Sequence, residues 1–139
     1  MPRILAVDWG VRRIGLALSD TLGILATGLP TLEVRGEAEA VAKVADTIRE
    51  VGAGSVVVGL PLTLAGHKGD SALAAERFAR LLEQASGVRV SLYDERLTSV
   101  LAQRRLHETG ARTRGRKCKL DPGAAVALLE GWLAMLSRE

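Results

Sequence analysis

The sequence has few aromatic residues, one cysteine and no long hydrophobic run, and each shortage excludes a class of protein. No stretch approaches the ~18 consecutive apolar residues of a membrane-spanning helix, although 47% of the 139 residues are hydrophobic. Residues 1–14 contain no basic region followed by a long apolar stretch, so we expect no secretory leader and no membrane partner. Cys118 has no second cysteine to pair with, which excludes an internal disulfide and fits a cytoplasmic location.

Aromatic side chains make up 3% of the chain, so its core must be built from Leu, Val, Ala and Ile. Their scarcity also limits stacking on nucleic-acid bases, and any nucleic-acid recognition should rest on charge and shape. A length of 139 residues is typical of one domain, and we predict a single domain over residues 1–139. Chains of this size bury roughly two-thirds of their unfolded surface, which is enough for a hydrophobic core.

The net charge of +3 is unevenly distributed along the chain. Residues 1–95 contain ten Lys/Arg and twelve Asp/Glu, whereas residues 96–139 contain nine and four. A positive C-terminal third joined to a slightly negative remainder indicates an anionic partner near that third.

Hydrophobic patterns predict secondary structure in the order β-β-β-α-β-α-β-α-α. Strands are expected at residues 3–9, 14–19, 24–31, 55–61 and 88–93, the first three antiparallel, with Pro30 at a sheet edge or strand end. Helices are expected at residues 36–52, 69–85, 98–110 and 121–138. This order favours an α/β fold with a mixed five-stranded sheet and helices on both faces. The predicted inward-facing residues of the first two helices are Val41, Val44, Ala45, Ile48 and Val51, and Leu73, Phe78, Leu81 and Leu82.

Three carboxylates fall at the predicted ends of strands or at a helix start: Asp8, Glu95 and Asp121. Ligands of open α/β sheets bind beyond the carboxyl ends of the strands, and these acids would converge there if the first and last strands were neighbours. Such a cluster repels itself and is best stabilised by a cation, and oxygen ligands select Mg²⁺ or Mn²⁺. A site of this kind is suited to metal-assisted phosphodiester hydrolysis.

Each acid also has a structural interpretation. Asp8 is suited to accept hydrogen bonds within the following turn, and Glu95 is suited to pair with a neighbouring arginine. Asp121 stands before Pro122, as a structural helix cap often does. Asp94 competes with Glu95, because adjacent residues of a strand point to opposite faces.

A basic segment over residues 104–119 holds seven Lys/Arg and one acidic residue. One interpretation is a solvated loop. The other is a clamp for a nucleic-acid backbone beside Asp121, with structured RNA or branched or single-stranded DNA as partner. The candidate phosphate contacts are Arg112, Arg114, Arg116, Lys117 and Lys119, with Arg12 and Arg13 from the first turn.

Four motifs in order, "AVDWGVRRIGLALSD", "VVVGLPLTLAG", "YDERLTSVLAQRRL" and "DPGAAVALLEGWL", resemble those of the YqgF/RuvX family, bacterial proteins with an RNase H-like fold. The resemblance covers nearly the whole chain. It implies a divalent-metal nuclease that matures the 5′ end of pre-16S rRNA or, in some members, cleaves Holliday junctions. It also implies that Asp8, Glu95 and Asp121 are the catalytic, metal-binding acids.

Three positions depart from the family's motifs. Val11 replaces a usual threonine, Thr63 a frequent asparagine, and Pro122-Gly123 follow Asp121 where Lys-Ala is common. Because proline fixes φ and glycine loosens the next position, the last change bears on the orientation of Asp121.

Two other function classes compete with the nuclease hypothesis. A non-catalytic nucleic-acid-binding domain would need the basic segment without the acids. An actin-like ATP-binding protein shares the Asp8 and Gly10 turn, but such proteins enclose nucleotide between two domains. Within the nuclease hypothesis, junction resolution would require a homodimer that presents two sites to opposed strands.

Overall fold

The computed structural model describes residues 2–10, 12–61, 69–94 and 123–137. The helix predicted at 98–110, the basic segment, Glu95 and Asp121 lie outside the described residues. The elements described are β1 (Arg3–Asp8), β2 (Arg13–Ser19), β3 (Ala26–Glu33), α1 (Glu37–Val51), β4 (Ala53–Leu60), α2 (Asp70–Ser86), β5 (Arg89–Asp94) and α3 (Gly123–Ser137).

The strands form one sheet in the order β3-β2-β1-β4-β5. β1 pairs antiparallel with β2, and β2 with β3, whereas β1–β4 and β4–β5 are parallel. The predicted mixed five-stranded sheet is therefore confirmed, and Pro30 lies on β3 at its edge, where a missing amide is tolerated.

β1 and β5 are not neighbours, which corrects the condition under which the acids were expected to converge. β4 lies between them, so their backbones are separated by two strand spacings, about 10 Å. The carboxyl ends of all three parallel strands nevertheless lie at one edge of the sheet, because β1, β4 and β5 run in the same direction.

The two faces of the sheet pack against different helices, as predicted. Leu5 and Val7 belong to a core that contains the buried residues of α1 and most of those of α2. Ile4 and Ala6, which alternate with them, belong to a core completed by α3. The central strand is thus covered on both sides and rigidly placed.

The inward faces of α1 and α2 differ in detail from those predicted. Val44, Ala45 and Ile48 are buried, but in α2 the side chain of Leu73 is 54% exposed. Its neighbour Ala72 points inward instead, because the buried row of α2 runs through Ala72, Ala75, Phe78, Ala79 and Leu82. Val41 and Val51 are half-buried against the core, and Leu81 is half-buried.

Both helices end at a glycine in the left-handed conformation. Gly52 has φ 70° and Gly87 has φ 76°, and their N–H groups donate to the carbonyl oxygens of Ile48 and Glu83 at 3.0 Å. A glycine adopts this φ without the steric cost of a side chain. Each described helix falls short of the length and apolarity needed to cross a bilayer.

Candidate functional site

Asp8 lies at the carboxyl end of the central strand, on the face covered by α3. Val7 before it is fully buried, and Asp8 itself is half-buried. Asp8 is paired with Gly15 of β2. A Cβ built on Gly15 would lie 3.6 Å from Asp8 Cβ, 3.9 Å from Asp8 Oδ2 and 3.7 Å from Ala125 Cβ. Asp8 and Ala125, in the first turn of α3, therefore both lie close to Gly15.

The residues after Asp8 form a turn that is anchored on the opposite face. Trp9 packs against Phe78 of α2 with ring centroids 5.9 Å apart and an interplanar angle of 40°. A Cβ built on Gly10 would lie 2.6 Å from the carbonyl oxygen of Arg13. Position 10 thus admits only glycine without a backbone shift, and the turn carries Arg12 and Arg13 at a defined place.

Replacing Gly10 by alanine should lower the free energy of unfolding by about 1–3 kcal/mol, the usual cost of an overpacked contact. The reason is the 2.6 Å contact with a backbone oxygen, which cannot move aside as a flexible side chain can. Urea unfolding followed by circular dichroism measures the change. Gly15→Ala is the matched control, because its added Cβ meets only ordinary contacts at 3.6–3.9 Å. Equal losses in the two variants would contradict this account of the turn.

Arg12 and Arg13 are exposed and lie at the same sheet edge as Asp8. The carbonyl oxygen of Arg12 accepts a hydrogen bond from Val34 N at 2.9 Å, and Arg13 is paired with Glu33 across β2 and β3. This joins the first turn to the segment that leads into α1. The result is an open groove of about 440 Å³, here called the α1 groove, whose charged lining residues are Arg12, Arg13, Glu33, Arg35, Glu39 and Lys43.

Arg35 and Lys43 of the α1 groove were not among the residues predicted from sequence. Arg35 N donates to Glu39 Oε1 at 2.6 Å, and this hydrogen bond lowers the pKa of the Glu39 carboxyl below its ordinary value of 4.5. Glu39 is therefore ionised at neutral pH and forms an ion pair of 3.5 Å with Lys43. Lys43 also donates to the carbonyl oxygen of Glu33 at 2.9 Å.

Asp94 is the last residue of β5. Its neighbour Tyr93 points to the α3 face, where its ring meets Trp132 edge-on with centroids 5.8 Å apart. Alternation along β5 then directs Asp94 to the α1–α2 face, opposite to Asp8. Over residues 2–10, 12–61, 69–94 and 123–137, no group of three His, Cys, Asp or Glu side chains could hold a metal ion. Of the three predicted acids, Asp8 alone falls within these ranges, as do Arg12 and Arg13 of the seven predicted phosphate contacts.

Comparison with known families decides what this chain is related to. Residues 2–135 match the family model described as "RuvX: Holliday junction resolvase". The chain belongs to the RuvX family. Its resemblance to that family, and the nuclease activity that the family name carries, are thereby confirmed.

Relatives within RuvX are similar over most of their length. A Nocardia farcinica protein with the name "Putative pre-16S rRNA nuclease" is 46% identical over 138 residues, covering 94% of this chain and 77% of the relative. A protein of the same name from Anaeromyxobacter dehalogenans is 44% identical over 131 residues, covering 94% of this chain and 96% of the relative.

The fold of this chain is also similar to that of solved structures at low sequence identity. RuvC of T. thermophilus in complex with a Holliday junction substrate superposes with a TM-score of 0.65 at 15% identity, covering 99% of this chain and 96% of that chain. The Fowlpox virus resolvase in complex with Holliday junction DNA gives a TM-score of 0.57 at 11% identity, covering 96% and 98%. The predicted RNase H-like fold is confirmed.

Proposed function

We propose that this RuvX protein is a divalent-metal-dependent nuclease that processes a structured RNA, with maturation of the 5′ end of pre-16S rRNA as its role. The observation that carries the proposal is the position of Asp8, a half-buried carboxylate at the end of the central strand, on the sheet face that α3 covers. The names of its 44–46% identical relatives support the choice of substrate.

Asp8, Glu95 and Asp121 are the proposed metal ligands, and the arrangement around Asp8 supports this set. Glu95 follows Asp94, so continued alternation from β5 would direct it to the Asp8 face. Asp121 precedes Gly123, the first residue of α3, by two positions in the sequence. Ala125 of that helix lies close to Gly15, as Asp8 does.

The donor chemistry of this set fits a hard divalent ion. All three side chains offer carboxylate oxygens, which suit Mg²⁺ or Mn²⁺. The backbones of β1 and β5 are about 10 Å apart, a distance that the side chains of Asp8 and Glu95 would have to span with the ion between them. When bound, the ion supplies activation of the attacking water and stabilisation of the leaving oxygen.

The protein's own residues orient the substrate. Asp8 is held by a strand that is buried on both faces, so its carboxylate stays at one place relative to the sheet. Arg12 and Arg13 follow on the anchored turn and are placed to bind backbone phosphates. Further phosphate contacts are assigned to the basic segment, namely to Arg112, Arg114, Arg116, Lys117 and Lys119. In this proposal residues 1–139 form a single domain, and the protein acts in the cytoplasm.

A second candidate function is cleavage of branched DNA. The printed description of the RuvX family, a Holliday junction resolvase, favours it. Resolution of a four-way junction cuts two opposed strands, so this function would also require a homodimer with two sites related by two-fold symmetry.

One nuclease assay distinguishes the two candidates. The intact protein is incubated with a pre-16S rRNA fragment, an unrelated single-stranded RNA or a four-way DNA junction, with Mg²⁺, Mn²⁺ or a chelator. We expect cleavage of the pre-rRNA fragment that requires the metal and is lost in Asp8→Asn. Cleavage confined to the junction would favour the second candidate, and nucleic-acid binding without cleavage under any condition would contradict both.

A further inference from the structure

We propose that the α1 groove is a phosphate-binding site that holds the nucleic-acid strand on one side of Asp8, with Arg35 and Lys43 as contacts added to Arg12 and Arg13. The inference rests on the proposed nuclease function and extends it. It assigns a direction to the substrate path, from the Asp8 end of β1 across β2 and β3 to α1.

The groove gathers positive charge from three separate parts of the fold. Arg12 and Arg13 come from the first turn, Arg35 from the segment after β3, and Lys43 from the second turn of α1. All four side chains are exposed. The groove is also lined by two carboxylates, those of Glu33 and Glu39, so four positively charged side chains stand against two negatively charged ones.

Glu39 offsets part of the positive charge of the groove, because, after the hydrogen bond from Arg35 N, the charges of Lys43 and Arg35 both contribute to the lowered pKa of its carboxyl. Glu39 is engaged by the backbone N–H of Arg35 and by Lys43. Within the residues that the structure describes, no ion pair is formed by the guanidinium groups of Arg12, Arg13 and Arg35. Each of these groups can therefore present two N–H donors to a phosphate.

The groove opens at the sheet edge where β1 ends, on the α1 side, whereas Asp8 is on the α3 side, so the proposed strand would cross this edge from one side to the other. The end of β1, the start of β2 and the end of β3 lie at the same sheet edge, because β2 is antiparallel to both neighbours. β3 is two strand spacings from β1, about 10 Å. Arg13, on β2, is only one strand spacing from β1, so at ~3.4 Å per nucleotide the groove would span about one to three nucleotides from a phosphate held at Asp8.

The character of the lining favours a nucleic-acid backbone over an acidic peptide. Apart from Val34, each described lining residue is charged, so the groove offers no apolar pocket to anchor a side chain. Its volume of about 440 Å³ falls within the ~300–1,000 Å³ of ligand clefts, which suits a short run of sugar and phosphate.

Binding measurements on the full-length Asp8→Asn protein test the groove separately from catalysis. The affinity for a fluorescent pre-16S rRNA fragment is measured by anisotropy at several salt concentrations, with and without the additional changes Arg35→Gln and Lys43→Gln. We expect roughly tenfold weaker binding and a slope of log K against log salt that is shallower by about 1.4–1.8, the value for two lost phosphate contacts.

Matched variants separate a local contact from general charge and from misfolding. Arg49→Gln with Arg80→Gln removes the same charge elsewhere on α1 and α2 and should change the slope by less than half as much. Arg35→Lys with Lys43→Arg keeps the charge and should restore the slope, although not every bidentate contact.

Three outcomes would overturn the proposal. The first is an unchanged salt slope in the variant with Arg35→Gln and Lys43→Gln. The second is an equal change of slope in the control with Arg49→Gln and Arg80→Gln. The third concerns polyglutamate, used as an acidic-peptide probe in the same assay: the Arg35 and Lys43 variant would lose affinity for it and keep its affinity for RNA. Failure of the nuclease proposal would be recognised independently, as absence of cleavage by the intact protein while the salt-dependent binding persists.

Discussion

Asp8→Asn is expected to reduce phosphodiester cleavage at least ~1,000-fold, a loss of about 4 kcal/mol of transition-state stabilisation. Asparagine has nearly the shape of aspartate but lacks its charge, so the variant keeps the packing beside Gly15 and loses the carboxylate that we propose as a metal ligand. The measurement is the initial rate on the pre-16S rRNA fragment at saturating Mg²⁺ or Mn²⁺.

The control for this variant is Asp46→Asn. Asp46 is an exposed carboxylate of α1 paired with Arg49, so its replacement removes one negative charge far from the β1 edge. We expect its cleavage rate to stay within about twofold of the wild-type rate. Full activity of Asp8→Asn in metal-replete buffer, with unchanged circular dichroism, would contradict the assignment of Asp8 as a catalytic metal ligand.

The position of Asp8 could be predicted because the relevant signals are local. Ile4 to Val7 form a continuous apolar run, and such a run bounded by a glycine turn indicates a strand buried on both faces. The following strands are joined by short turns, which favour antiparallel neighbours. The order of the meander β1-β2-β3 follows from these signals, and the structure confirms it.

The order of the parallel strands could not be predicted in the same way. β4 and β5 are both apolar, and both reach the sheet through a helix, so either could lie beside β1. Their order depends on how α1 and α2 pack over the sheet, a contact between residues far apart in the chain. The sequence therefore placed Asp8 and the end of β5 at one edge correctly but left the intervening strand undetermined.

The α1 groove was missed for a related reason. Arg35 and Lys43 are single basic residues with acidic neighbours in the sequence, and neither forms part of a basic run. They meet Arg12 and Arg13 only because β3 pairs with β2 and so brings the start of α1 to the first turn. A search for charge clusters along the chain finds the segment 104–119 and cannot find a cluster assembled by strand pairing.

The misplaced Leu73 illustrates a limit of helical patterns. A shift of one residue rotates a helix position by about 100°, so a leucine beside an inward alanine points away from the core. α2 buries Ala72 and Ala75 because small residues let the helix lie close to the sheet and to Trp9 through Phe78. Leu73 was predicted to face inward because it is large and apolar, whereas the packing of α2 requires a small residue at the inward position.

Glu95→Gln should reduce cleavage ~100-fold or more, about 2.7 kcal/mol, whereas Asp94→Asn should change the rate less than about threefold. The two acids are adjacent, and alternation from Tyr93 on the α3 face directs Asp94 to the opposite face. The prediction is that Glu95, the next residue, is the one that serves the Asp8 site. Single-turnover rates at increasing Mn²⁺ measure both the loss and the metal requirement.

The pair forms its own control, because both variants exchange a carboxylate for an amide of the same size at neighbouring positions. Each rate is therefore read beside the midpoint of thermal unfolding, which detects any loss of stability caused by the contacts of Asp94. We expect Glu95→Gln to keep the wild-type midpoint and to require more Mn²⁺ for its residual activity. The opposite result, an inactive but folded Asp94→Asn and an active Glu95→Gln, would contradict the assignment. It would mean that the strand alternation does not continue to the end of β5 and that Asp94, not Glu95, reaches the Asp8 face.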